Sequence, residues 1–342
     1  MKRNNRMIQV GVIGYGYWGP NLVRNFSENP ETTVSWVCDV TASALKAVKS
    51  RHPQVKTTTR YKDILDDSDV QVVAIATPVS THYKLAFDAL TAGKHVFIEK
   101  PITPSAVMAS KLINLAEKRN LTLFVDHTFI YTGAVQNIKK LITSGEMGDI
   151  YYFDSVRVNL GLFQHDTNVI WDLAPHDFSI MDYLVNEKPV SVSATGSSRV
   201  HRKNEDIAYV TVKFKGGLIA HFHLNWMSPV KIRRIIIGGS KKMVVFDDLN
   251  PDERVKVYDK GVTLQETSRD KLYKNLVQYR IGDMYAPKID NTEALKVAVA
   301  HLVDCIKRGK TPITDGAAGL RVVKLLEAAQ KSLRKGGTSV RI

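Results

Sequence analysis

Short apolar runs alternate with helical periodicities through the first third of the chain. Val10–Ile13 is an apolar run that ends in glycines, and Leu22, Val23 and Phe26 recur at helical spacing behind Pro20, which suits a first helical turn. Val34–Val40 reads as a strand and Thr41–Ser50 as a helix. Val70–Ala76 has the unbroken apolar character of a strand covered on both faces. Thr81–Ala92 is helical up to Gly93, and His95–Ile98, Pro104–Arg119 and Leu121–Val125 continue as strand, helix and strand. This order predicts an α/β domain built on a parallel, doubly wound sheet.

The pattern changes after Val125. A helix over about Gly133 to Ser144 leads into alternating segments: Ile150–Asn159, Val190–Ser197, Ile207–Trp226 with a turn at Gly216–Gly217, Arg234–Ile237, Met243–Phe246 and Val255–Tyr258. Two helices, Thr292–Lys307 and Gly316–Leu333, close the chain. A second α+β domain with a large, open, mostly antiparallel sheet is expected, dividing the chain into 1–126 and 127–342 without a flexible linker. In Ile207–Trp226 both faces are substantial: Phe222, Leu224 and Trp226 alternate with His221, His223 and Asn225. A second copy of the chain is expected on the face its own helices leave open, as a homodimer or homotetramer.

Composition narrows the classes. A chain of 342 residues with 44% hydrophobic and 24% charged residues is ordinary globular material for two domains. It has no apolar run of about 18 residues, so no membrane span is expected. The opening MKRNNRM has the charge of a signal-peptide start, but glycines break the apolar stretch behind it, which reads as a strand. Cys38 and Cys305 lie far apart without metal or redox spacing, and a reducing cytoplasm is the simplest setting. The net charge of +14 is scattered in short pairs and not gathered into a stripe. No nucleic-acid partner is expected, and the positive field suits an anionic substrate.

Gly14-Tyr15-Gly16-Tyr17-Trp18-Gly19 forms a G-x-G-x-x-G that follows a strand and opens a helix. Gly14 allows the tight turn, Gly16 lets backbone approach a pyrophosphate, and Gly19 lets helix and strand pack closely. The phosphate then meets the helix N-terminus, with Tyr17 and Trp18 on the turn around it. Asp39, at the end of the second strand, is placed to accept from an adenosine ribose and to repel a 2′-phosphate, which favours NAD over NADP.

Glu99-Lys100-Pro101 follows the strand His95–Ile98. Together with the glycine motif, Ala76-Thr77-Pro78 at a strand end and the Asp172-x-x-x-His176 pair, it resembles the glucose–fructose oxidoreductase / inositol dehydrogenase / rhizopine-catabolism (Gfo/Idh/MocA) family over essentially the whole chain. The resemblance implies a Rossmann domain followed by a sheet domain often used for oligomerisation, and nicotinamide-dependent oxidation or reduction of sugars and polyols. It also implies a catalytic-site role for Lys100.

Hydride transfer from an alcohol needs a partner for the hydroxyl proton, and histidine titrates in the right range. His176 is the candidate, with Asp172 one helical turn earlier on the same face to orient it. Without the resemblance, Asp172 reads equally as a helix N-cap and His176 as a core histidine beside Leu173, Ile180 and Leu184. Pro175 places the helix start near Asp172. Lys100, at the carboxyl edge of the sheet, is expected to hydrogen-bond the reacting oxygen. Which of Lys100 and His176 carries the proton stays open. Thr77, Pro78, Ser80 and Glu99 are expected at the cofactor, and His82 either joins them or serves packing.

The segment before the pair offers Arg157, Asn159, Gln164 and Asn168 as substrate donors. It resembles the branch acting on nucleotide-linked sugars, the UDP-N-acetylglucosamine and UDP-N-acetylglucosaminuronate 3-dehydrogenases, which oxidise C3. Rival readings are a dehydrogenase of free sugars or inositols and a non-catalytic, dinucleotide-binding regulator. His165, Asp166, Asp172, His176 and Asp177 cluster in sequence, but their spacing matches no compact zinc motif and no metal is expected.

Overall fold

The computed structural model of the chain describes residues 7–161, 167–200, 203–264 and 277–342. They form two compact units, Met1–Tyr131 with Thr292–Lys324, and Thr132–Asn291 with Leu325–Ile342.

In the first unit strands and helices alternate: β1 (Ile8–Ile13), α1 (Gly19–Glu28), β2 (Thr32–Cys38), α2 (Ala42–Arg51), β3 (Lys56–Thr58), α3 (Tyr61–Asp66), β4 (Val70–Ile75), α4 (Val79–Thr91), β5 (His95–Glu99), α5 (Ala106–Lys118) and β6 (Leu123–Asp126). The six strands are parallel in the order β3-β2-β1-β4-β5-β6. The sequence pattern misses β3 and α3, whose three and six residues are too short to show a period. β1 and β4 hold the middle of the sheet, and their Val and Ile side chains are buried on both faces, as helices on either side require. An aromatic column runs through the core: Phe26 meets Phe97 edge-on with centroids 5.5 Å apart, and Phe97 stacks on Phe124 at 4.9 Å.

The second unit contains α6 (Gly133–Thr143), β7 (Ile150–Leu160), α7 (Val169–Leu184), β8 (Pro189–Ser197), β9 (Ile207–Phe214), β10 (Ile219–Asn225), β11 (Met227–Gly239), β12 (Met243–Asp247), β13 (Val255–Leu264) and β14 (Val277–Tyr285). With β15 (Val340–Arg341) they build a nine-stranded sheet, β14-β13-β12-β11-β7-β10-β9-β8-β15, in which only β7 and β10 pair in parallel among the described residues. One face of its centre is apolar and covered. Ala208, Val210, Val212, Ala220, Phe222 and Leu224 are fully buried, and Phe178 of α7 meets Phe222 edge-on at 4.8 Å. On the alternate face Tyr209 and Ile219 are 44% and 43% exposed, and the Tyr209 ring stacks on His223 at 4.6 Å.

Residues 292–324 complete the first unit. They carry α8 (Ala294–Arg308) and the beginning of α9 (Gly316–Arg334). α8 buries Leu295, Ala298, Val299 and Leu302, and Arg24 of α1 grips Glu293 at its start with two bonds of 2.9 and 2.6 Å. Tyr131 donates to or accepts from Thr314 across 2.9 Å, with both groups buried.

Arg157 of β7 and Asp177 of α7 form a buried ion pair that pins the helix to the sheet. Nε and Nη2 of the guanidinium reach the two carboxylate oxygens at 2.8 Å each. Removing one partner of such a pair leaves a buried charge, so Asp177→Ala is expected to lower unfolding free energy by about 3–5 kcal/mol in urea denaturation. A loss below about 1 kcal/mol, the range of exposed pairs, would refute this role.

Candidate active site

A parallel sheet brings all its strand ends of one polarity to one edge, and the polar residues of the first unit gather there. β1 ends at Ile13 and turns through Gly14–Gly19, β2 ends before Asp39, β4 before Ala76–Pro78, β5 at Glu99 and β6 at Asp126. The chain order reverses between β1 and β4, the position at which such sheets bind ligands.

Gly14 has a φ of +96°, and a Cβ there would lie 2.5 Å from the Ala76 carbonyl oxygen. Gly14 is thus fixed by both its conformation and its neighbour. A Cβ on Gly19 would come 2.3 Å from the Gly14 oxygen, while one on Gly16 would meet nothing within 4 Å. The turn is closed behind and open in front, which fits a pyrophosphate lying on Gly16. α1 begins there with Trp18 at its N-cap, no side-chain cap and no acidic residue in its first turn, so its positive end is left for an anion. Tyr17 stands 90% exposed on the turn. Trp18 donates from Nε1 to Asp126 at 3.3 Å. The Asp39 carboxylate is held by two backbone donors, Tyr15 N at 2.7 Å and Thr41 N at 2.8 Å.

The loop after β4 is tied to the loop after β5. His82 is buried, with Nδ1 2.9 Å from the Pro101 oxygen and Nε2 2.9 Å from the Thr77 oxygen. Burial pushes its pKa down, so the neutral ring donates to one of the two carbonyls. Of the two expectations for His82, the structure supplies the packing one: its nitrogens face backbone. Thr77 Oγ1 meets Thr81 Oγ1 at 2.7 Å, Pro78 precedes α4 and Ser80 is exposed in its first turn. Lys100 is half-buried behind Glu99, whose Oε2 accepts from the Lys100 amide at 3.3 Å. Glu99 lies opposite Asp126 in the β5–β6 register. Burial first, and then the Asp126 charge, hold the Glu99 carboxyl well above the usual carboxylate range; burial also raises Asp126, against donors from Glu99, Thr128 and Trp18. Asp126 carries no local motif in the sequence. Its pairing with Glu99 depends on strand register, which no local motif displays.

In the second unit α7 carries Asp172 and His176. Both are half-buried on one side of the helix, while Ala174, Asp177 and Phe178 point into the core. His176 is half-buried, with its Nδ1 shut off from solvent. Asp172 is not the N-cap: the helix begins at Val169, one turn before the expected start, and Asn168 caps it by accepting from Trp171 N at 3.1 Å. Pro175 sits within the helix, where its ring costs only the bond to the Trp171 carbonyl. Asp172 Oδ2 accepts from Trp226 Nε1 at 3.0 Å, a partner distant in sequence that spacing could not reveal.

Two expected substrate donors have other duties. Arg157 is 5% exposed with its guanidinium on Asp177, and the Asn168 amide donates to Glu205 at 2.7 Å and Gln330 at 2.8 Å. A sequence shows a polar group without its partner, so each has the pattern of a donor until the fold pairs it. Asn159 is half-buried near the end of β7. Gln164, with His165 and Asp166, lies outside the described residues.

A cleft of about 580 Å³ opens where β5 begins at His95 and β6 is entered through Asn120–Leu123, and it shares none of the candidate residues. The glycine turn makes the sharper test. Gly16→Val is expected to leave the urea midpoint unchanged while weakening dinucleotide binding by about tenfold or more in titration calorimetry. Gly14→Ala is expected to cost about 1–3 kcal/mol of stability from backbone strain. Equal stability losses in both would contradict the open cradle at Gly16.

Comparison with known proteins agrees with this layout. Residues 8–127 match the GFO_IDH_MocA family, described as an oxidoreductase family with an NAD-binding Rossmann fold, and residues 135–245 match the GFO/IDH/MocA C-terminal domain. The oxidoreductase YrbE of Bacillus subtilis is 26% identical over 97% of this chain and 96% of its own. UDP-N-acetylglucosamine 3-dehydrogenase of Acidithiobacillus ferrooxidans is 26% identical over 92% and 94%. Myo-inositol 2-dehydrogenase of Thermotoga maritima is 24% identical over 96% and 97%. Among solved structures, the Acidithiobacillus enzyme GnnA superposes with a TM-score of 0.79 at 24% identity, covering 96% of this chain and 99% of that one. GenD2 from gentamicin A biosynthesis, crystallised with NAD, superposes with a TM-score of 0.83 at 20% identity, covering 98% and 97%. A glycine turn that fits a pyrophosphate, a reversing parallel sheet and family matches over both parts of the chain lead to one conclusion: the chain belongs to the Gfo/Idh/MocA oxidoreductase family and has its NAD-binding Rossmann domain.

Proposed function

We propose that this protein is an NAD-dependent dehydrogenase that oxidises a secondary alcohol, at C3, of a nucleotide-linked sugar such as UDP-N-acetylglucosamine or its uronate. The observation that carries the dehydrogenase reading is the Asp172–His176 pair on one half-buried side of α7, in a chain whose other unit bears the open glycine cradle and Lys100. The nucleotide-sugar reading is supported by the Acidithiobacillus relative, whose name states that activity, and by the net charge of +14, which suits a diphosphate.

NAD, when bound, accepts the hydride. The chain's residues do the rest. Gly14, Gly16 and Gly19 give the pyrophosphate access to the amides of the turn and of α1, flanked by Tyr17 and Trp18. Asp39 accepts from the adenosine ribose, and Thr77, Pro78, Ser80 and Glu99 border the cofactor edge. Lys100 donates to the reacting oxygen and stabilises developing alkoxide character. His176, oriented by Asp172, takes the hydroxyl proton. Asp172 Oδ2 is itself held by the Trp226 indole at 3.0 Å. Asn159 contributes to substrate binding.

The test follows NAD reduction spectrophotometrically with UDP-sugars, dTDP-sugars, free sugars and inositols, with an aminotransferase and amino donor present to remove the keto product. Turnover is expected on a nucleotide sugar. His176→Ala is expected to lower kcat by about 10²–10⁴ with NAD still bound. The Lys100→Met variant separates the two candidates: the proton carrier is the residue whose loss removes the pH dependence of kcat. Turnover on inositols or free sugars alone would replace the substrate class, a reading favoured by the Thermotoga relative. NAD binding with no turnover on any of them would favour a regulator.

We also infer a homodimer or homotetramer formed through the alternate face of the nine-stranded sheet, where Tyr209 and Ile219 are partly exposed. Sedimentation at micromolar concentration is expected to show a closed oligomer, and a monomer alone would exclude it.

A further inference from the structure

The buried carboxyls at the ends of β5 and β6 are an unusual pair for two adjacent parallel strands. Glu99 and Asp126 are register partners, and each carboxyl is among the groups that shift the other's titration. Asp126 is fully buried, with Oδ2 accepting from Trp18 Nε1 at 3.3 Å and Oδ1 from Thr128 Oγ1 at 2.9 Å. Glu99 Oε2 accepts from the Lys100 amide at 3.3 Å, but Glu99 Oε1 is shut off from solvent and meets no donor among the described residues. Two bare carboxylates facing each other out of water repel, and an acceptor with no donor is costly there. One proton resolves both: placed on Glu99 Oε1, it donates to Asp126, which the other donors already favour as the anion.

We propose that Glu99 and Asp126 share a single proton at neutral pH, and that this pair is a positioning clasp joining the Lys100 end of β5 to the Trp18 turn of the dinucleotide site. Asp126 is the positioning residue: through Trp18 it holds the turn, and through the shared proton it holds the strand end that carries Lys100. The charged and titratable groups around the pair are few. Lys100 favours its anionic form. His127, next to Asp126, is pushed down to about 3 by burial and by Lys100 and Arg321, so it stays neutral. Tyr131 lies close enough to feel the Asp126 charge and stays a phenol, held up chiefly by burial. No other acid has to supply the missing donor.

The sign of the pH effect follows. The folded chain keeps a proton that an unfolded glutamate loses near pH 4.3, so stability falls as pH rises from there through the pair's raised titration. If the clasp sets the turn, NAD affinity falls as pH rises through that same titration, by up to about tenfold per pH unit once the proton is leaving.

The deciding experiment is infrared spectroscopy of the full-length protein without cofactor in D₂O at neutral pD. A protonated-carboxyl C=O band is expected in the natural protein and absent in both Glu99→Gln and Asp126→Asn. No such band in the natural protein overturns the proposal, whatever the variants do. The second arm is NAD titration against pH. Asp126→Asn, whose amide donates to Glu99 without a titrating proton, is expected to lose the fall in affinity with rising pH. Persistence of that fall in Asp126→Asn would overturn the positioning role. The role rests on the dinucleotide-site reading of this edge, and the two fail differently: no NAD binding at any pH would refute that reading, whereas the infrared band judges the shared proton alone.

Discussion

Six parallel strands covered by helices on both faces can present polar groups at their ends but not along their length. That constraint places the chemistry of the first unit. With the strands in the order β3-β2-β1-β4-β5-β6, consecutive connections leave β1 and β4 in opposite directions, and the gap between those connections is where backbone stays open to a ligand. The contact of Gly14 with the Ala76 carbonyl shows how tightly the two sides of that gap are drawn together, and the free space before Gly16 shows what remains open. The His82 strut between the Thr77 and Pro101 carbonyls belongs to the same design. Loops that follow different strands need a cross-link that the sheet itself does not provide beyond its edge.

The second unit solves a different problem, holding a helix against one face of a sheet with its polar residues aimed outward. α7 does this through an ion pair and an indole. Asp177 on its buried side is fixed to Arg157 of β7, and Asp172 on its half-buried side is fixed to Trp226 beyond β10. A buried ion pair is weak evidence for net stability, since its desolvation offsets most of its attraction. It does specify orientation, because a helix rotated by one residue would strand both charges. The rotation of α7 decides where His176 points, so the Arg157–Asp177 pair helps fix that direction.

What was legible in the sequence was local. The glycine turn, Asp39 at the end of β2, the strand–helix alternation and the Asp172–His176 spacing depend on neighbours within a few turns, and each stands where its pattern implies. What was not legible depends on partners far along the chain. Arg157 looked like a donor for substrate because Asp177 is its partner only after β7 and α7 pack. Asn168 looked the same, although Glu205 and Gln330 use its amide. β14 pairs with β13 across residues that carry no strong alternation, and the packing of α8 beside α1 in the first unit leaves no local trace in a helix whose apolar stripe would suit any apolar surface.

Charge accounting explains why the β5–β6 edge is better served by one proton than by none or two. Lys100 brings one positive charge to a region where burial makes any net charge expensive. A doubly ionised Glu99–Asp126 pair would leave that edge net negative, with two anions held together by nothing but their donors. A doubly protonated pair would weaken the bonds Asp126 accepts from Trp18 and Thr128, since neutral acceptors bind donors less strongly than anionic ones. The singly protonated pair carries one negative charge against one positive, satisfies the donor that Glu99 Oε1 lacks, and keeps Asp126 the anion that the indole and hydroxyl prefer.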